Sequence, residues 1–457
     1  MNLHGDLLRP PLFLSIFAAV LVKMNKLREM KQAVTILSSG KRNLIPILSV
    51  CLLLLNPSIK AQVQLNDSAT VSLLTASPWN GAIYALFGHT AIRVRDDSTG
   101  IDEVYNYGFF DSSQPGFIYN FVRGRTDYIL GVTSFADFIY EYRAKGQQVV
   151  EQQLNLSPAE KQKLYDALYE NALPENRKYR YNYFYDNCAT RPRDMVEQYS
   201  NGEIHYPPTD AAQSYRDLVH ESLVSYPWYS FGIDLLIGSE ADRILHVREK
   251  MFMPSYLMDS FAKATIYKED SLTVPLVSHS ELLLSQDLKR NGVREHGLFT
   301  PLLMAFALLL LSIMVSVIQF FKMNRGQLPR IYDTILFGVA GAGGVIIFIL
   351  MYFSSHPATN PNWNLIWLHP AALIAAPFFW VKSAQRGVYF YHFINFVLLT
   401  LFLLCWWFIP QQLPVATIPF SMSLWIRSAS NILIIRKLKI KERRFTSSRE
   451  MKAAWGQ

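Results

Sequence analysis

Between residues 301 and 435 the chain carries five apolar stretches, Pro301–Phe321, Ile331–Phe353, Leu365–Val381, Tyr389–Ile409 and Val415–Ile435. Each is about as long as a helix must be to cross the hydrocarbon of a bilayer, so an all-α, five-helix membrane domain is expected here. The loops between them alternate in charge. Lys322, Arg325 and Arg330 follow the first stretch, Lys382 and Arg386 the third, and the basic run Arg436–Arg444 the fifth, whereas Ser354–Asn364 and Pro410–Pro414 hold no Lys or Arg. Basic loops stay in the cytoplasm, so the chain is expected to enter the first span from outside and to end inside. The formal charge of +8 is concentrated beside apolar runs instead of forming a patch interleaved with aromatics. It is a topology signal, and no nucleic-acid partner is expected.

The amino terminus gives the same orientation. Lys41–Arg42, the apolar run Leu44–Leu55 and Ser58–Ala61 read as a secretory signal peptide cleaved after Ala61, or as an uncleaved anchor. Either way the chain from Gln62 onward is outside. A second apolar run, Pro11–Val22, and the internal Met24 and Met30 do not fit a single signal peptide; a mis-called start codon is one account and an uncleaved anchor the alternative. The expected division is an amino-terminal extension and signal or anchor (1–61), an outside domain (62–298), the membrane domain (299–436) and a basic cytoplasmic tail (437–457).

Residues 62–298 read as α+β. Val71–Ala76, Thr90–Val94 and Val104–Phe110 are short β-branched and apolar runs bounded by turn formers, and are expected as strands. Gly88 permits a tight turn just before His89. Ser134–Lys145 opens on a cap serine with Asp137 three residues on, and Ser157–Glu160 is a capping box with proline at the first helical position; both open helices. A further helix should start close to Cys188 in Tyr181–Asp194, because Asn187 is a favoured cap and Pro192 is tolerated only in a first turn.

Of the three cysteines, Cys51 and Cys405 lie in apolar runs, so no disulfide framework can be built and Cys188 stands alone. A lone cysteine is commonly a small buried hydrophobe. At a helix amino terminus, however, the free N–H groups and the helix dipole favour the thiolate, and the same N–H groups suit an oxyanion. A nucleophilic cysteine also needs a base and a group to orient that base. His89 at the head of one strand is the candidate base, and Asn106 on the next strand the candidate orienting group. No histidine spacing resembles a zinc motif, so neither metal nor cofactor is expected.

The motifs Phe87–Val94 (FGHTAIRV), Tyr105–Asp111 (YNYGFFD) and Tyr183–Asp194 (YFYDNCATRPRD), followed by a multi-helix membrane domain, resemble the lipoprotein N-acyltransferases called Lnb. The order histidine, polar residue, cysteine also resembles the circularly permuted papain-like folds related to NlpC/P60. The resemblance implies a permuted papain-like periplasmic domain on an inner-membrane, multi-pass anchor. It implies Cys188, His89 and Asn106 as catalytic residues, a membrane phospholipid as acyl donor, and the amino-terminal cysteine amine of a diacylated lipoprotein as acceptor. The residues themselves speak only for thiol acyl chemistry beside a membrane. A membrane-anchored cysteine peptidase or amidase acting on peptidoglycan, and a non-catalytic envelope scaffold, stay open.

Five further positions are candidate substrate contacts. Arg191 and Arg193 either hold a lipid phosphate or pair with Asp186, Asp194 or Glu197. His369, just inside the membrane, must be paired or face a cavity, and with Trp363 it either shapes a lipid or acceptor site or lies beside an aromatic-belt anchor of Trp363 and Trp367. Asn187, next to the cysteine, is the fifth.

Overall fold

The computed structural model describes residues 63–454 apart from 114, 210, 269–272, 293–296 and 323–325, with side chains described to Ile440. The secretory-type segment expected at 1–61 lies outside the described residues. The first strands are β1 (Thr70–Ala76), β2 (His89–Asp96) and β3 (Ile101–Phe109), close to the ranges their composition suggests. A six-residue helix α1 (Phe117–Val122) leads to β4 (Asp127–Ser134), and α2 (Phe135–Lys145) follows, capped by Ser134, whose side chain accepts from the Asp137 amide. Then come β5 (Val149–Leu154), α3 (Pro158–Ala172) with the full Ser157–Glu160 capping box, and β6 (Lys178–Arg180). The helix after the cysteine is α4 (Thr190–Tyr199). After β7 (Glu203–His205) run α5 (Tyr215–Leu223), α6 (Pro227–Leu236) and α7 (Pro254–Lys263), then β8 (Thr265–Tyr267), β9 (Thr273–Pro275) and β10 (Val277–Leu284).

Seven strands form one antiparallel sheet in the order β10-β5-β1-β2-β3-β4-β6, and β7-β8-β9 form a small second one. One face of the large sheet buries Val71, Leu73, Ile92, Val94, Tyr105 and Tyr107 against α3, α4 and α7, through Leu164, Leu168, Val196, Leu257 and Phe261. The other face carries Leu74, Ala76, Ala91 and Val104 under Phe138 and Tyr142 of α2. Alternate residues of β1, β2 and β3 thus go to opposite cores, as a period of two requires.

The carboxy-terminal part is helical. Helices α8 (Pro301–Lys322) and α9 (Gln327–Phe353), the span Lys382–Leu404 containing α11 (Gln385–Leu404), and Thr417–Ile440 at the start of α12 (Thr417–Ala454) are long and apolar enough to cross a bilayer. The third expected helix, Leu365–Val381, is corrected. Its place is taken by a 3-10 turn at Trp363–Ile366, an irregular stretch, and the eight-residue α10 (Ala371–Phe378). Pro370 precedes α10 and Pro377 lies within it, and proline cannot supply the N–H a continuous helix needs. Non-helical backbone at membrane depth requires protein cover. It has that cover: Asn364, Trp367 and Leu368 are buried, and the segment lies against Gly341 and Gly344 of α9.

The two parts lock together through the end of α6 and the turn after it. Gly238 N donates to Ala358 O at 2.6 Å and Ser239 N to Pro361 O at 2.9 Å. Asn362 Nδ2 donates to Leu235 O, Asn364 Nδ2 to Asp234 O, and Gln411 Nε2 to Ile237 O. Fully buried Arg216 holds this turn from within, bonding Asp234 and Asp242 and the carbonyls of Ile237 and Gly238. Both membrane-domain loops that lack Lys and Arg therefore bear on the α/β domain. A Cβ at Gly238 would stand 2.2 Å from Pro361 O. Gly238→Ala is expected to destabilise by roughly 1–3 kcal/mol, the usual range for overpacking, read as a lower thermal midpoint with faster proteolysis of the 354–362 loop.

Candidate functional site

Three elements converge on Cys188. The first is the turn before α4. Regular helix begins at Thr190, but Asn187 caps it one turn earlier: Asn187 Oδ1 accepts from the amides of Ala189 (2.8 Å) and Thr190 (2.9 Å), and Thr190 Oγ1 accepts in return from the Asn187 amide (2.7 Å). Arg191 N donates to Asn187 O, the first helical bond, so Cys188 sits at the first position of the capped turn. Asn187 Nδ2 also donates to Tyr183 O and Phe252 O. With its side chain committed in this way, Asn187 positions the cysteine turn.

The second element is the head of β2. Gly88, at φ +81°, turns the chain where a Cβ would lie 2.8 Å from Ala76 O, and His89 opens the strand directly after it. Pairing of β2 with β3 runs from Asp96↔Ile101 to Ile92↔Tyr105. The Thr90 amide, beyond the last of these pairs, donates toward Cys188 Sγ. The third element is β3, where Asn106 is buried. Its Nδ2 donates to Val104 O (3.1 Å) and Thr133 Oγ1 (3.2 Å), which turns Oδ1 toward His89 Nε2 at 3.3 Å. Since Oδ1 only accepts, Nε2 carries the imidazole proton and Nδ1 keeps its lone pair. One face of the His89 ring stacks on Tyr142, at 6.4 Å between centroids.

The electrostatics differ from the expectation of a thiolate. Cys188 is half-buried, and the dense protein around it pushes the thiol up to about 11. The amides of Thr90 and Cys188 itself and the Tyr181 hydroxyl all donate toward the sulfur and pull the other way, without winning. Burial also lowers His89 to about 4, against the raising effect of Asn106. Both groups are therefore neutral at pH 7 and the resting pair is thiol and imidazole. Alkylation by iodoacetamide, which needs the thiolate, should accelerate about tenfold per pH unit from pH 7 to 10. A plateau reached below pH 7 would instead mean a thiolate–imidazolium pair.

Both arginines are paired within the protein, the alternative to holding a phosphate. Arg191 binds Asp186 through two hydrogen bonds, Nε–Oδ1 at 2.5 Å and Nη2–Oδ2 at 2.8 Å, and lies over the Tyr179 ring at 3.8 Å. Arg193 is buried, paired with Asp194 and donating to Arg248 O. They hold the cysteine turn and α4 in place.

Sequence reasoning missed Thr90, whose role is its backbone amide, and Tyr181 and His356. Tyr181 stacks on Tyr128 at 4.2 Å, and Tyr183 stacks on His356, which comes from the loop after α9. Together with Phe121 and Thr126 these side chains line a narrow crevice from the membrane-domain loop to the residue that bonds the thiol. His356 carried a signal: it lies in the polar membrane-domain loop Ser354–Asn364, which holds no Lys or Arg. Trp363 lines a separate cavity of about 250 Å³ with Met351, Pro361, Asn362, Leu365 and Ile366. His369 is paired as membrane depth demands, with Nε2 2.9 Å from Asn395 Oδ1, and Asn395 Nδ2 donates to Ser428 Oγ. The structure thus brings Cys188, His89 and Asn106 to one locus, and keeps His369 and Trp363 in the helical part.

Comparison with known families matches residues 56–221 to the Lnb N-terminal periplasmic domain and residues 293–439 to the Lnb transmembrane domain. No curated protein and no solved structure matches the chain.

Proposed function

Because the chain belongs to the Lnb family in both its periplasmic and its transmembrane domain, which fits a membrane enzyme that modifies lipoproteins, we propose that it is a thiol N-acyltransferase of the inner membrane. It moves a fatty acyl chain from a phospholipid, through a Cys188 thioester, to the amino-terminal cysteine amine of a diacylated lipoprotein. The observation that carries this reading is the shared wall of the site: His356 of the membrane domain and Tyr181, which bonds the thiol, line one crevice. A cysteine reached along the seam with the membrane domain is suited to a lipid ester. The arrangement of histidine and asparagine on neighbouring strands and cysteine at a capped helix start supports thiol chemistry.

In the first half-reaction Cys188 Sγ attacks the ester carbonyl carbon while its proton passes to His89 Nδ1. A neutral thiol and imidazole require this transfer to accompany attack. The amides of Thr90 and Cys188, already directed at the sulfur, are the donors nearest the developing oxyanion. Collapse breaks the C–O bond, His89 returns the proton to the leaving lysophospholipid oxygen, and the thioester remains. In the second half-reaction the lipoprotein amine attacks the thioester carbon and gives up a proton to His89. The C–S bond breaks, the sulfur regains the proton and an amide is formed. Asn106 holds the imidazole in the tautomer that serves both steps.

The test is to incubate the full chain in nanodiscs with acyl-labelled phospholipid and analyse the Cys188 peptide by mass spectrometry. An acyl adduct released by neutral hydroxylamine is expected. Its absence, or its persistence in Cys188→Ala, overturns the thioester mechanism.

A further inference from the structure

Helix α1 is built as Phe-Ile-Tyr-Asn-Phe-Val, five apolar or aromatic residues in six, yet none of them is buried in the protein. Ile118 is 78% exposed and Tyr119 62%. A water-facing helix has no reason for that composition. Its position says what covers it. Arg123 O, directly after α1, accepts from Ser355 N at 2.9 Å, and Phe121 O accepts from His356 Nε2 at 2.6 Å. Both partners lie within three residues of Phe353, the last residue of the membrane helix α9, where Tyr352 and Phe353 are themselves exposed. The apolar face of α1 is therefore continuous with the lipid-facing end of α9. Arg123 and Arg125 follow at once, as expected beside lipid phosphates.

From α1 a run of aromatic contacts leads inward. Phe121 packs on Tyr183 and His356, Tyr183 on Tyr181, and Tyr181 on Tyr128 and, through its hydroxyl, on Cys188. Thr126 Oγ1, which lines the same crevice, is buried with no hydrogen-bond partner, a vacant donor and acceptor for a polar group passing there. We propose that α1 dips into the outer leaflet as an interfacial helix and that the crevice beside it is the route by which a phospholipid ester enters from the bilayer to reach Cys188. The route rests on the acyltransferase reading; the insertion of α1 does not. Because the crevice is narrow, Phe121 and Tyr183 must part to admit the lipid.

Two measurements on the full chain separate these claims. In a chain with Cys51, Cys188 and Cys405 replaced by serine, Ile118→Cys is labelled with an environment-sensitive fluorophore in nanodiscs of phosphatidylethanolamine and phosphatidylglycerol. Thr99→Cys, at the other end of β2 from His89, is the control. Spin-labelled lipid should quench the label at 118 at least fivefold more than at 99; equal quenching of both by aqueous iodide overturns the insertion. In the second measurement, Ile118→Glu, which adds charge to an exposed side chain, should lower at least tenfold the ratio of Cys188 acylation by phospholipid to that by a water-soluble acyl ester. An unchanged ratio overturns the entry route. If label 118 sits in lipid while phospholipid never acylates the parent chain, the acyltransferase reading fails and α1 remains a membrane contact.

Discussion

Cys188→Ser is expected to reduce lipoprotein N-acylation by roughly 10³-fold or more while leaving the fold intact, and Cys188→Ala to abolish it. The serine case is the sharper one. Serine fits the turn, since the sulfur contributes no structural hydrogen bond that an oxygen could not accept from Thr90, Tyr181 and its own amide. What it lacks is ionisation within reach of a weak base. With His89 held down to about 4 by burial, the imidazole can take a proton only as bond formation to the carbonyl raises the acidity of the nucleophile. A thiol near 11 can make that concerted transfer; an alcohol, several units less acidic, cannot keep pace. The measurement is the acylation state of a reporter lipoprotein by mass spectrometry in cells carrying each variant. Full acylation in Cys188→Ser would remove the thioester from the mechanism, and a change in muropeptides without one in lipoproteins would favour the peptidoglycan reading.

The parts of this site that were legible in the sequence share a local cause. Asn187 as cap, Gly88 as turn and the serine caps at Ser134 and Ser157 each act within a few residues of themselves, and their chemistry specifies the backbone. His89 and Asn106 could be placed on neighbouring strands because alternation and turn residues mark strands. What stayed hidden depends on residues far apart in the chain. The neutral state of the thiol is set by atoms from several elements closing round Cys188, a desolvation that no helix-terminus argument can foresee. Arg191 and Arg193 looked equally apt for a phosphate or a carboxylate, and only the fold brought Asp186 and Arg248 O to them. The broken third segment shows the limit of hydropathy: Leu365–Val381 is apolar enough for a span, but Pro370 and Pro377 and the docking of Asn362 and Asn364 onto α6 outweigh it. Four long helices and this interrupted segment replace the five even spans that composition suggests.

Asp333→Asn is expected to cost the membrane part about 3–5 kcal/mol, more than any other single exchange argued above, without touching the cysteine site. Arg427 is fully buried among the helices. Its guanidinium binds Asp333 through two bonds, at 2.6 and 2.9 Å, and donates two further hydrogens, to Ser316 Oγ at 2.7 Å and Gln319 Oε1 at 2.8 Å. Asn431 Nδ2 adds a bond to Asp333 Oδ2 at 2.8 Å. Side chains from α8, α9 and α12 thus neutralise and satisfy one cation where water is absent. Losing the carboxylate charge leaves the guanidinium uncompensated, and the protein must either admit water or part its helices. Asp333→Leu with Arg427→Met together should recover most of the loss, because the desolvation of both ions disappears with them. Thermal unfolding in detergent, scored against the parent chain, reads both results. Equal losses in the single and the double variant would mean that the pair is needed for its shape and hydrogen bonds and not for charge balance, and the ion pair would then fix the register of α8, α9 and α12 beneath the periplasmic domain.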